Sequence, residues 1–246
     1  MAEKKKARGI KLAAASLAMV VVGSGAALAA TIPGTNAGEV LRGTDRADTI
    51  HGYGGADLIY GYGGGDTVWG GNESGFGDKA LGGTGGDRLV GQQGDDALYG
   101  QGGADRLEGQ YGADLIVGGK GGDTLSGGPG ADEVNAQDGL RDVIDLTGSG
   151  SGDVVYYDKG VDVFVTSSVK SLDEGSDANV AEAAEAPGAE LTAAKPPEDL
   201  FEPHAKVLVD HEGEKLLVAE GRVEAHLGHG DGIIDPTGRA GTEEGR

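Results

Sequence analysis

Between Gly43 and Asn135 an aspartate returns every nine residues, and that spacing leaves few folds open. Aligned on it, the segments read GTDRADTIH, GYGGADLIY, GYGGGDTVW, GGNESGFGDKAL, GGTGGDRLV, GQQGDDALY, GQGGADRLE, GQYGADLIV, GGKGGDTLS and GGPGADEVN. The in-phase aspartates are Asp48, Asp57, Asp66, Asp78, Asp87, Asp96, Asp105, Asp114, Asp123 and Asp132. Every gap is nine except that between Asp66 and Asp78, which is twelve, with three extra residues around Asn72 to Gly75. Two places after each aspartate stands an apolar residue: Ile50, Ile59, Val68, Ala80, Leu89, Leu98, Leu107, Ile116, Leu125 and Val134. Of the chain's 50 glycines, 30 lie in this stretch, mostly at positions one, two and four of the unit, so the pattern is a repeat and not a bias of composition.

Each position of the unit has a physical task. The first six residues form a tight turn, because glycine alone readily takes a positive φ and lets backbones approach closely. The last three form a short strand whose middle side chain points inward while its neighbours point out. Two units make one coil, and stacked coils bury a ladder of Ile, Leu and Val between two small parallel sheets. Stacking brings equivalent turns together two repeats apart. One edge then carries Asp48, Asp66, Asp87, Asp105 and Asp123, and the other Asp57, Asp78, Asp96, Asp114 and Asp132. Carboxylates at strand spacing, roughly 5 Å, repel where solvent is restricted, and a divalent ion between turns reverses the sign. Oxygen-only ligands on flexible turns suit Ca²⁺ better than octahedral Mg²⁺.

On these residues the pattern resembles the RTX (haemolysin-type) calcium-binding repeat, G-G-x-G-x-D-x-U-x. The resemblance covers roughly residues 39–165. It implies a parallel β-roll in which the aspartate and the turn carbonyls of one unit share an ion with the unit two further on. On that pattern Asp57, Asp66, Asp87, Asp96, Asp105, Asp114, Asp123 and Asp132 are the expected calcium ligands. Two units depart from it. Thr44 and Arg46 replace glycines in the first, so Asp48 is read as a cap, and the insertion before Asp78 is read as a bulge that weakens its site. In GQQGDDALY only Asp96, not Asp95, is in phase.

The expected fold class is therefore all-β, a parallel β-roll (β-solenoid) over 39–135 closed by a degenerate cap over 136–165, with a disordered acidic C-terminal tail. In the cap the phase loosens, with Asp142 and Asp153 at gaps of ten and eleven, so their role as ligands is left open. Composition agrees with an ion-dependent fold. Aromatics are 4% and glycine loses more backbone freedom on folding than any other residue, so burial alone is a weak driving force. There is no cysteine for a disulfide staple, and a metal is the usual substitute. The formal charge of −21 repels nucleic acid and anionic membranes and attracts cations.

Lys4 to Arg8, an apolar stretch from Leu12 to Leu28, and Ala27-Leu28-Ala29-Ala30 read as a signal peptide over 1–30. An uncleaved anchor is the alternative, which the Gly23-Ser24-Gly25 interruption and the alanines disfavour. Cleavage removes the +4 of the first eleven residues and takes the charge from −21 to about −25, with no membrane partner left. Residues 166–203 read as a disordered acidic linker, and 204–246 as a short β-hairpin and flexible tail. There His226, His229 and Asp231 are read as solvated side chains rather than a metal site. No H-E-x-x-H, G-x-S-x-G, Walker A or EF-hand pattern occurs, and the reading is non-enzymatic. The expected function is a secreted protein binding calcium ions, whose roll folds on them. Two alternatives remain: a calcium-dependent adhesion protein with a cell-wall or polysaccharide partner, using Tyr53, Tyr60, Tyr62, Trp69, Tyr99 and Tyr111 as exposed surface, and a polysaccharide-modifying enzyme.

Overall fold

The computed structural model describes residues 29–150, 152–165, 190–192, 206–211, 214–219, 222–227 and 231–236. The x-U-x ends of successive units become strands. They run β1 (Thr31–Pro33), β2 (Val40–Arg42), β3 (Thr49–Tyr53), β4 (Leu58–Gly63), β5 (Thr67–Thr84), β6 (Arg88–Gly102), β7 (Arg106–Tyr111), β8 (Leu115–Lys120) and β9 (Thr124–Ser126). They continue with β10 (Glu133–Asn135), β11 (Val143–Asp145), β12 (Val154–Tyr156), β13 (Val163–Val165) and β14 (Glu190–Thr192). β5 and β6 each run through a turn and serve both edges of the coil.

Two parallel ladders result. Ladder A follows β1, β3, β5, β6, β7, β9, β11 and β13, and ladder B follows β2, β4, β5, β6, β8, β10, β12 and β14. The register pairs each apolar eighth residue with its copy one coil on. In A the file is Ile32, Ile50, Val68, Leu89, Leu107, Leu125, Ile144 and Phe164. In B it is Leu41, Ile59, Ala80, Leu98, Ile116, Val134 and Val155. These files meet in a single buried core, the β-roll that the nine-residue period predicts. The insertion is absorbed between Asn72 and Lys79, where the β5–β6 register shifts twice and then resumes with Lys79 opposite Ala97. Neither core file is displaced by it.

The fourth residue of the unit shows why glycine is needed there. Gly103 and Gly121 hold φ of 146° and 152°, and a Cβ on either would overlap the carbonyl oxygen of the equivalent glycine one coil back, Gly85 or Gly103. The second position is also left-handed yet takes Tyr53, Tyr62, Gln92, Gln101 and Gln110, at φ between 74° and 87°. That conformation is strained for a residue with a Cβ, and the coil stack holds it.

The outward faces differ. On ladder A the strands present Thr49, Thr67, Arg88, Arg106 and Thr124, and Arg88 and Arg106 pair with Glu108 at 3.1 and 2.6 Å. On ladder B they present Leu58, Leu81, Ala97, Tyr99 and Leu115, an apolar face that cannot stay wet cheaply. A C-terminal unit covers it. β15 (Lys206–His211) pairs antiparallel with β16 (Glu214–Ala219) and with β17 (Gly232–Asp235), joined by a short helix α1 (Val223–Leu227). Val207, Val209, Val223 and Ile233 bury against the ladder B residues, and Arg42 meets Glu224 at 2.5 Å beside them. An isolated hairpin is marginal in water, so this apolar face is what stabilises the unit.

The structure revises three expectations. Tyr99 lies under the C-terminal unit at 2% exposed, so it offers no external surface, whereas Tyr53, Tyr62 and Tyr111 are 52%, 46% and 61% exposed. Glu190–Thr192, inside the segment read as a disordered linker, adds to the roll as β14, in register with Val154–Tyr156. The end rung of a parallel ladder leaves backbone donors and acceptors unpaired, and a passing extended segment satisfies them. Asp48 does not cap the stack, because β1 and β2 lie before it and Ala30 is tied to it. The rest of the 1–30 and 166–203 assignments falls outside the described residues.

Candidate metal centre

The turn leads each aspartate inward just before its strand. All ten in-phase aspartates are buried, and so are Asp142, Asp153 and Asp162 further on. Coils 18 or so residues apart place one aspartate directly over the next. On edge A the backbone N–H of Asp48 donates to Oδ1 of Asp66, and the same bond repeats from Asp66 to Asp87, Asp105, Asp123, Asp142 and Asp162, at 2.7–3.0 Å. On edge B it runs from Asp57 through Asp78, Asp96, Asp114 and Asp132 to Asp153, at 2.6–3.0 Å. Asp78 keeps its place in the ladder in spite of the insertion. Asp95 is exposed and serves a different bond, accepting from the Ala113 N–H at 2.8 Å.

The second carboxylate oxygen has another fate. Oδ2 of Asp66, Asp78, Asp87, Asp105, Asp123 and Asp142 is buried and accepts no hydrogen bond. In Asp66, Asp78, Asp87, Asp105 and Asp123 it occupies the space where the first residue of the same unit, Gly61, Gly70, Gly82, Gly100 or Gly118, would carry a Cβ. Glycine at position one is thus a cradle for the carboxylate. A buried oxygen anion without a donor is costly. The acidities show it. Burial, opposed by the backbone N–H bond, pushes Asp66 and Asp87 up to about 6, and Asp78, Asp105 and Asp142 up to about 7. Neighbouring carboxylates add to this at Asp66, Asp105 and Asp142. Burial raises Asp123, Asp153 and Asp162 as well. A cation of valence two answers both problems at once, giving Oδ2 a partner and the stacked charges a counter-ion.

A family model of the RTX calcium-binding nonapeptide repeat matches this stretch in four copies, over residues 34–76, 81–110 and 108–139. The repeats belong to the RTX calcium-binding family. RTX repeats are calcium-binding motifs, and Ca²⁺ fits a donor set made of carboxylate and backbone oxygens. Comparison with curated proteins finds no match.

The match begins five residues before Glu39, and the structure shows why. GTNAGEVLR, residues 34–42, is a further RTX unit in which Glu39 stands at the aspartate position, its N–H donating to Oδ1 of Asp57 at 2.8 Å. Alignment on aspartate alone hides it, although Leu41 two places on was a legible signal. At the other end the loosened phase hides Asp162, whose Oδ1 accepts from Asp142 at 3.0 Å. Here Asp138 and Asp158 take over from glycine-rich turns: Asp138 accepts from Gly121, and Asp158 from Asp138 and Gly139.

Proposed function

We propose that the chain is a secreted, non-catalytic calcium-binding protein whose RTX roll assembles when calcium reaches the aspartate ladders. Asp48, Asp57, Asp66, Asp78, Asp87, Asp96, Asp105, Asp114, Asp123 and Asp132 are the ligands, joined by Asp142 and Asp153 in the cap. The observation that carries this reading is the row of buried Oδ2 atoms without donors. The basic and apolar segments before Ala30 support export, and extracellular modules commonly bind Ca²⁺ near 10⁻⁴–10⁻³ M, so export would deliver the chain to the ion that folds it.

Bound calcium per chain, measured by equilibrium dialysis, tests the assignment. Asp105→Ala should lose the ions of edge A around the middle of the stack and retain those of edge B, and Asp114→Ala the reverse. One site held at about 100 times its Kd contributes roughly 2.7 kcal/mol, so either variant should melt about 5–11 °C lower in calcium. Unchanged calcium content in both variants would remove these aspartates from the ligand set.

An aromatic stack supports a second reading, adhesion to cell-wall polysaccharide. On the outward face of ladder A the rings of His51 and Trp69 lie 4.5 Å apart and 5° from parallel, with Tyr53 stacked beyond at 5.6 Å. Stacking spends the inner ring faces on one another, and Tyr53, 52% exposed, is the member of the stack most open to a sugar. Retention on insoluble wall polysaccharide in calcium should then fall at least tenfold in Trp69→Ala; equal elution of the two proteins would end this reading.

A further inference from the structure

The RTX ladders use oxygen alone, but the C-terminal unit gathers nitrogen donors. His211 ends β15, His226 lies in α1, and Asp231 immediately precedes β17. Their side chains meet: Nδ1 of His211 lies 2.7 Å from Oδ2 of Asp231, and Nδ1 of His226 lies 3.0 Å from the same oxygen. The two imidazole rings stand 87° apart, so their nitrogens approach that point from different directions. All three ligand atoms lie within 4.8 Å of one another. The Asp231 side chain is only 3% exposed, while the imidazoles open toward solvent and leave a path of entry.

We propose that His211, His226 and Asp231 form a binding site for one borderline transition-metal ion, with Zn²⁺ the best fit. Two imidazoles and one carboxylate are a donor set that zinc uses with a fourth position left for water, whereas calcium prefers oxygen alone. Bonds of about 2.0–2.1 Å in a tetrahedral site put ligand atoms roughly 3.3 Å apart. The two Nδ1–Oδ2 separations, 2.7 and 3.0 Å, need to open by roughly 0.3–0.6 Å to admit the ion. Contacts from both imidazoles to the same Asp231 oxygen, at 2.7 and 3.0 Å, fix the carboxylate between the two rings. The ion would tie together three elements that otherwise share few buried side chains, among them Val207, Val209, Val223 and Ile233, with no cysteine in the chain to help. Of the three residues first grouped from the sequence, His226 and Asp231 belong to this site, and His229 lies outside the described residues. His211 joins them, because β15 pairs antiparallel with β17, with Asp210 opposite Gly232, and this brings the end of β15 to Asp231.

The test uses the full chain held in excess calcium, so that the aspartate ladders are occupied and only a different class of site can respond. Titration with Zn²⁺ should find one ion per chain with micromolar or tighter Kd, and Co²⁺ should give the intense visible absorption of a tetrahedral site. His211→Asn and His226→Asn retain a side-chain N–H close to the place of Nδ1, so the bond to Asp231 survives while the ligand is lost. Each should weaken Zn²⁺ binding at least tenfold and leave the calcium-dependent circular dichroism unchanged. The proposal is overturned if the variants bind Zn²⁺ as the parent does. It is overturned equally if the parent gives no tetrahedral Co²⁺ spectrum, a result that needs no variant to fold.

Discussion

Withdrawing calcium at pH 7.5 is expected to abolish the β-sheet circular dichroism signal of this protein, and acidification in the same chelator to bring it back. At pH 7.5 carboxylates that reach about 6 or 7 when buried are mostly ionised. Without an ion each buried anion keeps an oxygen without a donor, and its neighbours stand one strand spacing away, about 4.8 Å. The core that opposes this is a single file of side chains from each ladder, and glycine-rich turns must be ordered to form it. In the unfolded chain these aspartates return to the ordinary value near 3.8. The folded state therefore takes up protons more readily than the unfolded one. The stability that protonation confers is complete below pH about 4 and is lost as pH rises through 6 to 7. In chelator the β-signal should grow between pH 7.5 and 5, the reverse of ordinary acid denaturation. In calcium the sign inverts, because protons then compete with the ion for the same oxygens. A β-signal and melting temperature that are the same in calcium and chelator at pH 7.5 would sink the proposal that the roll folds on calcium.

Gly103→Ala should be among the most damaging single changes in the roll, and its neighbour Gly102→Ala nearly harmless. At Gly103 φ is 146°, and an added Cβ would overlap the carbonyl oxygen of Gly85 in the coil below. The backbone conformation costs an alanine about 1–3 kcal/mol, and spreading a packed stack costs a similar amount again. Loss of about 3 kcal/mol or more lowers the melting temperature of a chain this size by at least 6 °C. It should also reduce calcium affinity, since the displaced carbonyl lies in the turn between coils. At Gly102 an added Cβ would find only the Gly83 carbonyl oxygen, 3.8 Å away, which is ordinary contact. Removing a glycine there restricts the unfolded chain and should leave stability unchanged or raise it by up to about 1 kcal/mol. Melting both variants in calcium decides the matter: equal losses would mean that the fourth position of the unit carries no special constraint.

Those contrasts show which parts of the structure were legible beforehand. A spacing of nine with an apolar residue two places after the aspartate is enough to specify both ladders. Each coil repeats the contacts of the last, so one local rule propagates along the stack. Glu39 escaped because the rule was written in terms of aspartate, and Asp162 because the cap varies its spacing. The polar face of ladder A and the apolar face of ladder B were also present in the sequence, in the residues flanking odd and even units. Thr49, Thr67 and Thr124 against Leu58, Leu81 and Leu115 is that difference. Seeing it required knowing that alternate units lie on opposite sides of one coil.

The sequence by itself determined the roll, its two edges and the rows of carboxylates they carry, because those follow from interactions between neighbours at a constant separation. Only the tertiary structure decided what the C-terminal residues do. The cover over Tyr99 and the meeting of His211, His226 and Asp231 depend on contacts across more than a hundred residues in one case and on a hairpin and a helix folding together in the other. Each such contact is made once, so no period in the sequence announces it, and it forms because an apolar sheet face is left bare until something folds onto it.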